Sequence, residues 1–136
     1  MDIETLGRGA AEALTAMTDR DRVEACLGFF RDDALFVLED TPFILDKEGF
    51  RGHMAFHLGT AWEWVELKTW RPDARIFGAT GLFTADFTLR GKPRNSGFRQ
   101  RHGALSLVCH HDGQGWRGLK LHLSTLLSQI HEASPG

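Results

Sequence analysis

The residues able to do chemistry are a few histidines, scattered carboxylates and one basic run. His53 and His57, in the segment HMAFH, stand four residues apart. On a helix that spacing puts both imidazoles on one face, which permits metal binding. A metal needs a third ligand, and none is obvious nearby in sequence, because Glu48 points elsewhere on the same helix. No metal and no cofactor are therefore expected. His57 falls on the apolar stripe of its helix and is either a pocket histidine or a satisfied core histidine. His53 is expected at the edge of that face, in solvent. Arg90, Lys92, Arg94, Arg99 and Arg101 gather around one loop, with Phe98 between them. Such a patch can hold phosphate or nucleic acid. With a formal net charge of −2 and a single aromatic in the run, a solvated loop is the reading taken, and no nucleic-acid partner is expected.

Cys26 and Cys109 are the only cysteines. Both sit in apolar sequence, so they read as small buried hydrophobes. Two isolated thiols without Cys-x-x-Cys spacing fit a reducing compartment, and a cytoplasmic address is expected. The opening MDIETLGRGAAEAL has early acids and no long apolar run, so no signal peptide is read there. No segment approaches the ~18 apolar residues of a membrane span, and no membrane partner is expected.

The elements that must position these groups change period at mid-chain. Ile3, Leu6, Ala10, Ala13, Leu14 and Met17 recur at helical spacing. Thr18 or Asp19 is expected to cap a second helix carrying Val23, Cys26, Leu27 and Phe30, which Asp32-Asp33 stops. Ala34 to Leu38 reads as a strand and Glu39 to Pro42 as a turn, with Phe43 to Leu45 pairing back. Asp46 caps a third helix whose inner stripe holds Phe50, Met54, His57, Leu58 and Ala61. From Trp64 to Leu123 the period is that of strands. Val65 to Phe77 is extended, with a bend at Arg71-Pro72. Leu82 to Arg90 alternates strictly, Phe98 to His110 is a further strand, and Trp116 to Leu123 is the last. The tail HEASPG is expected to fray.

Helices first and an antiparallel meander afterwards is an α+β order. The expected architecture is a single domain over 1–136, a cone-shaped, curved antiparallel β-sheet with three N-terminal helices on its concave face. The length suffices for a core without disulfide or metal. Hydrophobic residues are 42% and charged residues 25% of the chain, as in ordinary globular proteins. An apolar cavity is expected at the open end of the cone, walled by Phe50, Met54, Phe83, Phe87, Leu107 and Leu121, with Trp62 and Trp64 either roofing it or filling the wide end of the core. Its occupant is expected to be a small hydrophobic molecule. The last strand has two rows, with Leu119, Leu121 and Leu123 in one and Trp116, Lys120, His122 and Ser124 in the other. The apolar neighbours favour the leucines inward. Because Trp116 stands in the other row, a homodimer through the outer sheet face is expected.

Two stretches resemble a known family. FFRDDALFVLEDTPFILDKEGFRGHMAFHL is similar to the SnoaL-like pattern of helix end, Asp-Asp, first hairpin and a helix with a Phe-Arg pair, here Phe50-Arg51. DGQGWRGLKLHLS is similar to that family's closing Asp-Gly turn, Trp and His-x-Ser, here Trp116, His122 and Ser124. The resemblance, to SnoaL-like members of the nuclear transport factor 2-like superfamily, spans nearly the whole chain. It implies the cystatin-like roll, and sheet-to-sheet dimers. The superfamily contains isomerases, cyclases and dehydratases as well as non-catalytic binding or association domains, so the fold does not select a function.

The resemblance to ketosteroid isomerase-like members implies that Asp40, on the first hairpin and just after Glu39, is the general base. A carboxylate at the mouth of an apolar cavity is expected to have its pKa raised by desolvation. His57 or His122 is then its partner, the latter because the closing motif marks it. The remaining catalytic set of those members is missing. The chain has no tyrosine, Leu14 falls near that family's tyrosine position, and the strand Phe98 to His110 has no acid. An oxyanion of the steroid isomerase kind lacks a donor here.

Overall fold

The computed structural model describes residues 2–130; the HEASPG tail lies outside the described residues. Helix α1 (Ile3–Met17) starts at Asp2, whose carboxylate accepts the Thr5 N–H at 2.7 Å. Its stripe buries Leu6, Ala10, Ala13, Leu14 and Met17, while Ile3 at the first turn stays exposed. Helix α2 (Val23–Phe29) begins later than expected and has no side-chain cap. Thr18 instead ends α1 and accepts the Leu67 N–H on its hydroxyl at 3.2 Å, and Asp19 closes a small turn on Asp21. The Asp32-Asp33 pair does not stop α2. The chain turns extended at Phe30, and both aspartates lie exposed in strand β1 (Phe30–Val37).

Helix α3 (Lys47–Phe56) is capped as expected by Asp46, which accepts the Gly49 N–H at 2.7 Å. It runs into one π-helical turn, His57–Ala61, before strand β2 (Trp62–Phe77). Strands β3 (Thr80–Pro93), β4 (Arg99–His111) and β5 (Trp116–Ile130) complete a five-stranded sheet of order β1-β5-β4-β3-β2. The β2–β3, β3–β4 and β4–β5 pairs are antiparallel. β1 pairs parallel to β5, so the sheet is mixed rather than wholly antiparallel. The cause is chain order: β1 precedes α3 and returns to the sheet beside its last strand. The bend anticipated at Arg71-Pro72 is a register shift between Trp70 and Asp73, with Arg71 at φ 51°. The architecture is otherwise the expected one, three helices against a curved, unclosed sheet.

One apolar core joins helices and sheet. Phe36 of β1 stacks on Phe50 of α3 with ring centroids 4.2 Å apart, and Phe30 meets Phe36 at 4.8 Å. Phe83, Phe87, Leu107 and Leu121 are fully buried in the same cluster. Each such side chain contributes ~1.5–3 kcal/mol by leaving water. A bulge between Val108 and Cys109 skips Leu119 in the β4–β5 register. The two-row reading of β5 therefore fails at its start: Trp116 is buried with Leu121 and Leu123, Leu119 is only half-buried, and Lys120, His122 and Ser124 are exposed. Among the described residues no helix is long and apolar enough to cross a membrane.

Candidate functional site

Between β1 and α3 the chain makes a turn whose ends are pinned. Leu45 and Phe36 exchange both backbone hydrogen bonds, at 2.8 and 2.9 Å, and Leu38 and Leu45 are buried. Inside this frame Glu39 turns inward. Its carboxylate accepts from Arg101 Nη1 at 2.9 Å and from Thr125 Oγ1 at 2.7 Å, and only 8% of the side chain is exposed. The next residue, Asp40, is thereby aimed the other way, toward α3.

There it meets two imidazoles. Asp40 Oδ1 lies 3.4 Å from His53 Nε2, and Oδ2 lies 3.4 Å from His57 Nε2. The rings of His53 and His57 sit one helical turn apart, centroids 4.0 Å from each other. His57 Nδ1 lies 2.9 Å from the His53 carbonyl oxygen. A carbonyl only accepts, so Nδ1 carries the hydrogen and Nε2 is the nitrogen turned to Asp40. The helix changes to its π turn at His57, whose N–H is shared between the His53 and Met54 carbonyls. The side chains are 31%, 14% and 26% exposed for Asp40, His53 and His57, so solutes reach the cluster although it is partly dehydrated.

Burial pushes the Asp40 carboxyl up, as expected from sequence. The hydrogen bond from His53 and the charges of His53 and His57 outweigh it and hold the carboxyl below its ordinary value of 3.8. The expected net rise is thus reversed, because sequence reasoning placed one histidine near Asp40 and not two. His53 was expected in solvent and is the least exposed of the three. The spacing in HMAFH was the signal for it; the missing third group came from a loop thirteen or more residues away, where no helical pattern reaches.

The other expected site residues lie elsewhere. Phe50, Phe83, Phe87, Leu107 and Leu121 pack together in the core, and Met54 is buried beside them. Trp62 and Trp64 border an open cleft of about 550 Å³ at the end of α1, with Thr15, Asp19 and Arg94, and neither Asp40 nor a histidine lines it. Trp64 is 44% exposed and, with Phe98, flanks Arg90. His122 stands exposed on the outer face, paired in register with Ser106 and Val37. The Phe50-Arg51 pair is structural: Arg51 grips Glu24 of α2 through two nitrogens, at 2.8 and 3.1 Å. In the basic run, Lys92 pairs with Glu63, Arg90 with Glu66, and Arg94 donates to the Thr60 carbonyl. Phe43 and Ile44, in the same turn as Asp40, and Phe56, whose ring meets that of His57 at 5.5 Å, are 64%, 55% and 57% exposed.

No curated protein matches the chain in sequence. Solved structures share its fold. The hexachlorocyclohexane dehydrochlorinase LinA-type3 of Novosphingobium barchaimii LL02 superposes with a TM-score of 0.81 at 10% identity, over 96% of this chain and 90% of that one. A nuclear transport factor 2-like superfamily protein of Salmonella enterica gives 0.72 at 17% identity, over 98% and 95%. The beta subunit of the benzoate 1,2-dioxygenase of Burkholderia mallei gives 0.70 at 9% identity, over 92% and 91%. Identities this low establish the fold alone. The SnoaL-like domain model, however, matches residues 8–128, nearly the whole chain. With the cone of three helices and a curved sheet beneath that match, the chain belongs to the SnoaL-like family of the nuclear transport factor 2-like fold.

Proposed function

We propose that this domain is a proton-transfer enzyme acting on a small hydrophobic molecule, as an isomerase, cyclase or dehydratase, with Asp40 and His57 as its working pair. The observation that supports it is one carboxylate held between two imidazole nitrogens at 3.4 Å each, open to solutes. A carboxylate–imidazole group removes a proton from carbon. The electron pair left behind forms a double bond, and either it shifts along the molecule or a neighbouring group departs as halide or water. Loss of hydrogen chloride, named for the dehydrochlorinase of the same fold, is the second outcome. Phe43, Ile44 and Phe56 supply an apolar rim suited to such a molecule. His53 holds Asp40 ionised and acts as a positioning residue. His122 has no part in this reading, since it stands on the outer face.

The test is turnover of a panel of cyclic halides, β-hydroxy ketones and unsaturated ketones, followed by NMR. Conversion that falls at least ~100-fold in Asp40→Asn and in His57→Gln, with unchanged circular dichroism, is the expected result. Conversion that survives both changes defeats it.

A second reading, a non-catalytic association domain, is favoured by a different observation. The side chains expected to wall a cavity are buried against one another in the core. On the outer sheet face, Trp70 is 48% exposed opposite Asp86, which with its ion-pair partner Arg71 and with Thr84, Ala104 and Ser106 lines a shallow depression. This face is where a homodimer would form, since Trp116, the residue first expected to drive it, is buried within the chain. Sedimentation of a dimer that Trp70→Glu converts to monomer supports this reading; a wild-type monomer at tens of micromolar excludes the homodimer.

A further inference from the structure

We infer that Asp40, His53 and His57 form a binding site for a divalent metal ion of the zinc type, with three protein ligands and an open fourth position. Their donor atoms all lie within 4.8 Å of one another. In a tetrahedral zinc centre, bonds of ~2.0–2.1 Å place neighbouring ligand atoms ~3.3–3.4 Å apart. The contact from Asp40 Oδ1 to His53 Nε2, at 3.4 Å, has that edge length, and the equal contact to His57 Nε2 is made by the other oxygen, Oδ2, so a small rotation of the carboxylate is needed to set one oxygen between both imidazoles. Both contacts are long for direct charge-assisted hydrogen bonds, which close to ~2.7–2.9 Å. The cluster is thus close enough for its three donors to share one ion and open enough to admit it.

The rest of the geometry agrees. The two histidines stand four residues apart on α3, the pairing by which a helix presents two imidazoles to one ion. The third donor comes from the turn after β1, so the ligands converge from two elements. His57 Nδ1 donates to the His53 carbonyl at 2.9 Å, which leaves the Nε2 lone pair free for a metal and fixes the ring's direction. The loop bearing Asp40 is itself held, through Glu39, to Arg101 and Thr125. Oxygen with two nitrogens favours zinc or a similar transition ion over calcium or magnesium. A metal bound here occupies the carboxylate proposed as base, so metal binding and proton transfer exclude each other at this group.

The experiment uses the whole chain, freed of metal by chelator and titrated with ZnCl2 in a calorimeter and with CoCl2 in a spectrophotometer, without any substrate. One equivalent per chain, with the visible bands of tetrahedral Co(II), is the expected result. His53→Gln and Asp40→Asn each weaken the affinity at least ~10-fold, and His122→Gln leaves it unchanged. No binding at millimolar metal, or equal affinity in His53→Gln, Asp40→Asn and wild type, overturns the site. If either variant loses its fold by circular dichroism, X-ray absorption of the zinc-loaded wild type decides: two imidazoles at the metal support the site and fewer overturn it. Turnover measured in chelator tests the proton-transfer reading separately, so either can fail alone.

Discussion

Glu39 and Arg101 form an ion pair at 2.9 Å across 62 residues of sequence, with the acid 8% and the base 28% exposed. It connects the turn after β1 to strand β4 and fixes where the following residue, Asp40, can point. The two neighbouring acids thus divide the work. One is tied into the sheet, and the other is presented to α3.

Glu39→Gln should therefore act at a distance from its own contacts. Arg101 loses its charged partner in a mostly dehydrated place, and a stability loss of ~1–3 kcal/mol is expected in urea denaturation. Thr125→Val removes one hydrogen bond to the same carboxylate and should cost ~1 kcal/mol. Both should also lower turnover or metal affinity, because Asp40 is no longer held. A stable Glu39→Gln protein with unaltered site properties would show that the turn is fixed by Leu38 and Leu45 alone.

Gly118 offers a test of the parallel β1–β5 pair. It stands opposite Phe30, and a Cβ there would lie 2.4 Å from the Phe30 ring. Gly118→Ala must shift Phe30, which also touches Phe36, so a loss of ~1–3 kcal/mol is expected. The matching change Gly7→Ala, on α1 with nothing near its Cβ, should be neutral or stabilising by up to ~1 kcal/mol. Equal thermal midpoints for the two variants would contradict the close packing of β1 on β5.

Periodicity made most of this fold legible. The helical stripe Leu6 to Met17, the Asp46 cap and the alternation of β3 all stand where the residue pattern put them. The misreadings have physical causes. Phe30 belongs to a strand because its ring is needed in the core, which outweighs the helical pattern before it. Trp116 changed face because one bulge inverts every side chain before it; the resulting phase break between Trp116 and Leu121 reads equally as two separate rows. At the candidate site, Asp40 is marked by the family resemblance and His57 by helical spacing. The spacing in HMAFH put His53 on the face of His57, but that Asp40 meets both requires the turn to fold back over α3, a tertiary fact.

The two cysteines make the last prediction, at alkaline pH. Cys26 and Cys109 are 1% and 0% exposed, and burial pushes each thiol up from 9.0 to about 12. In the folded chain both stay protonated where the unfolded chain releases the proton. Below pH 9 this stabilisation is fully present. Between 9 and about 12 the folded state holds more protons than the unfolded one, so stability falls as pH rises, by up to ~1.4 kcal/mol per pH unit for each thiol. The chain contains no tyrosine, so no phenol titrates in this window, which leaves lysines as the other groups that ionise there. Urea denaturation at pH 8 and pH 10.5 should show a marked loss in wild type and a smaller one in Cys26→Ala/Cys109→Ala, although that variant is less stable at pH 8. Thiol reagents at pH 8 should leave the native chain unmodified and label both residues once urea unfolds it. Rapid labelling of either thiol under native conditions would mean that the core around α2 or β4 opens locally, and the alkaline loss would then be correspondingly small.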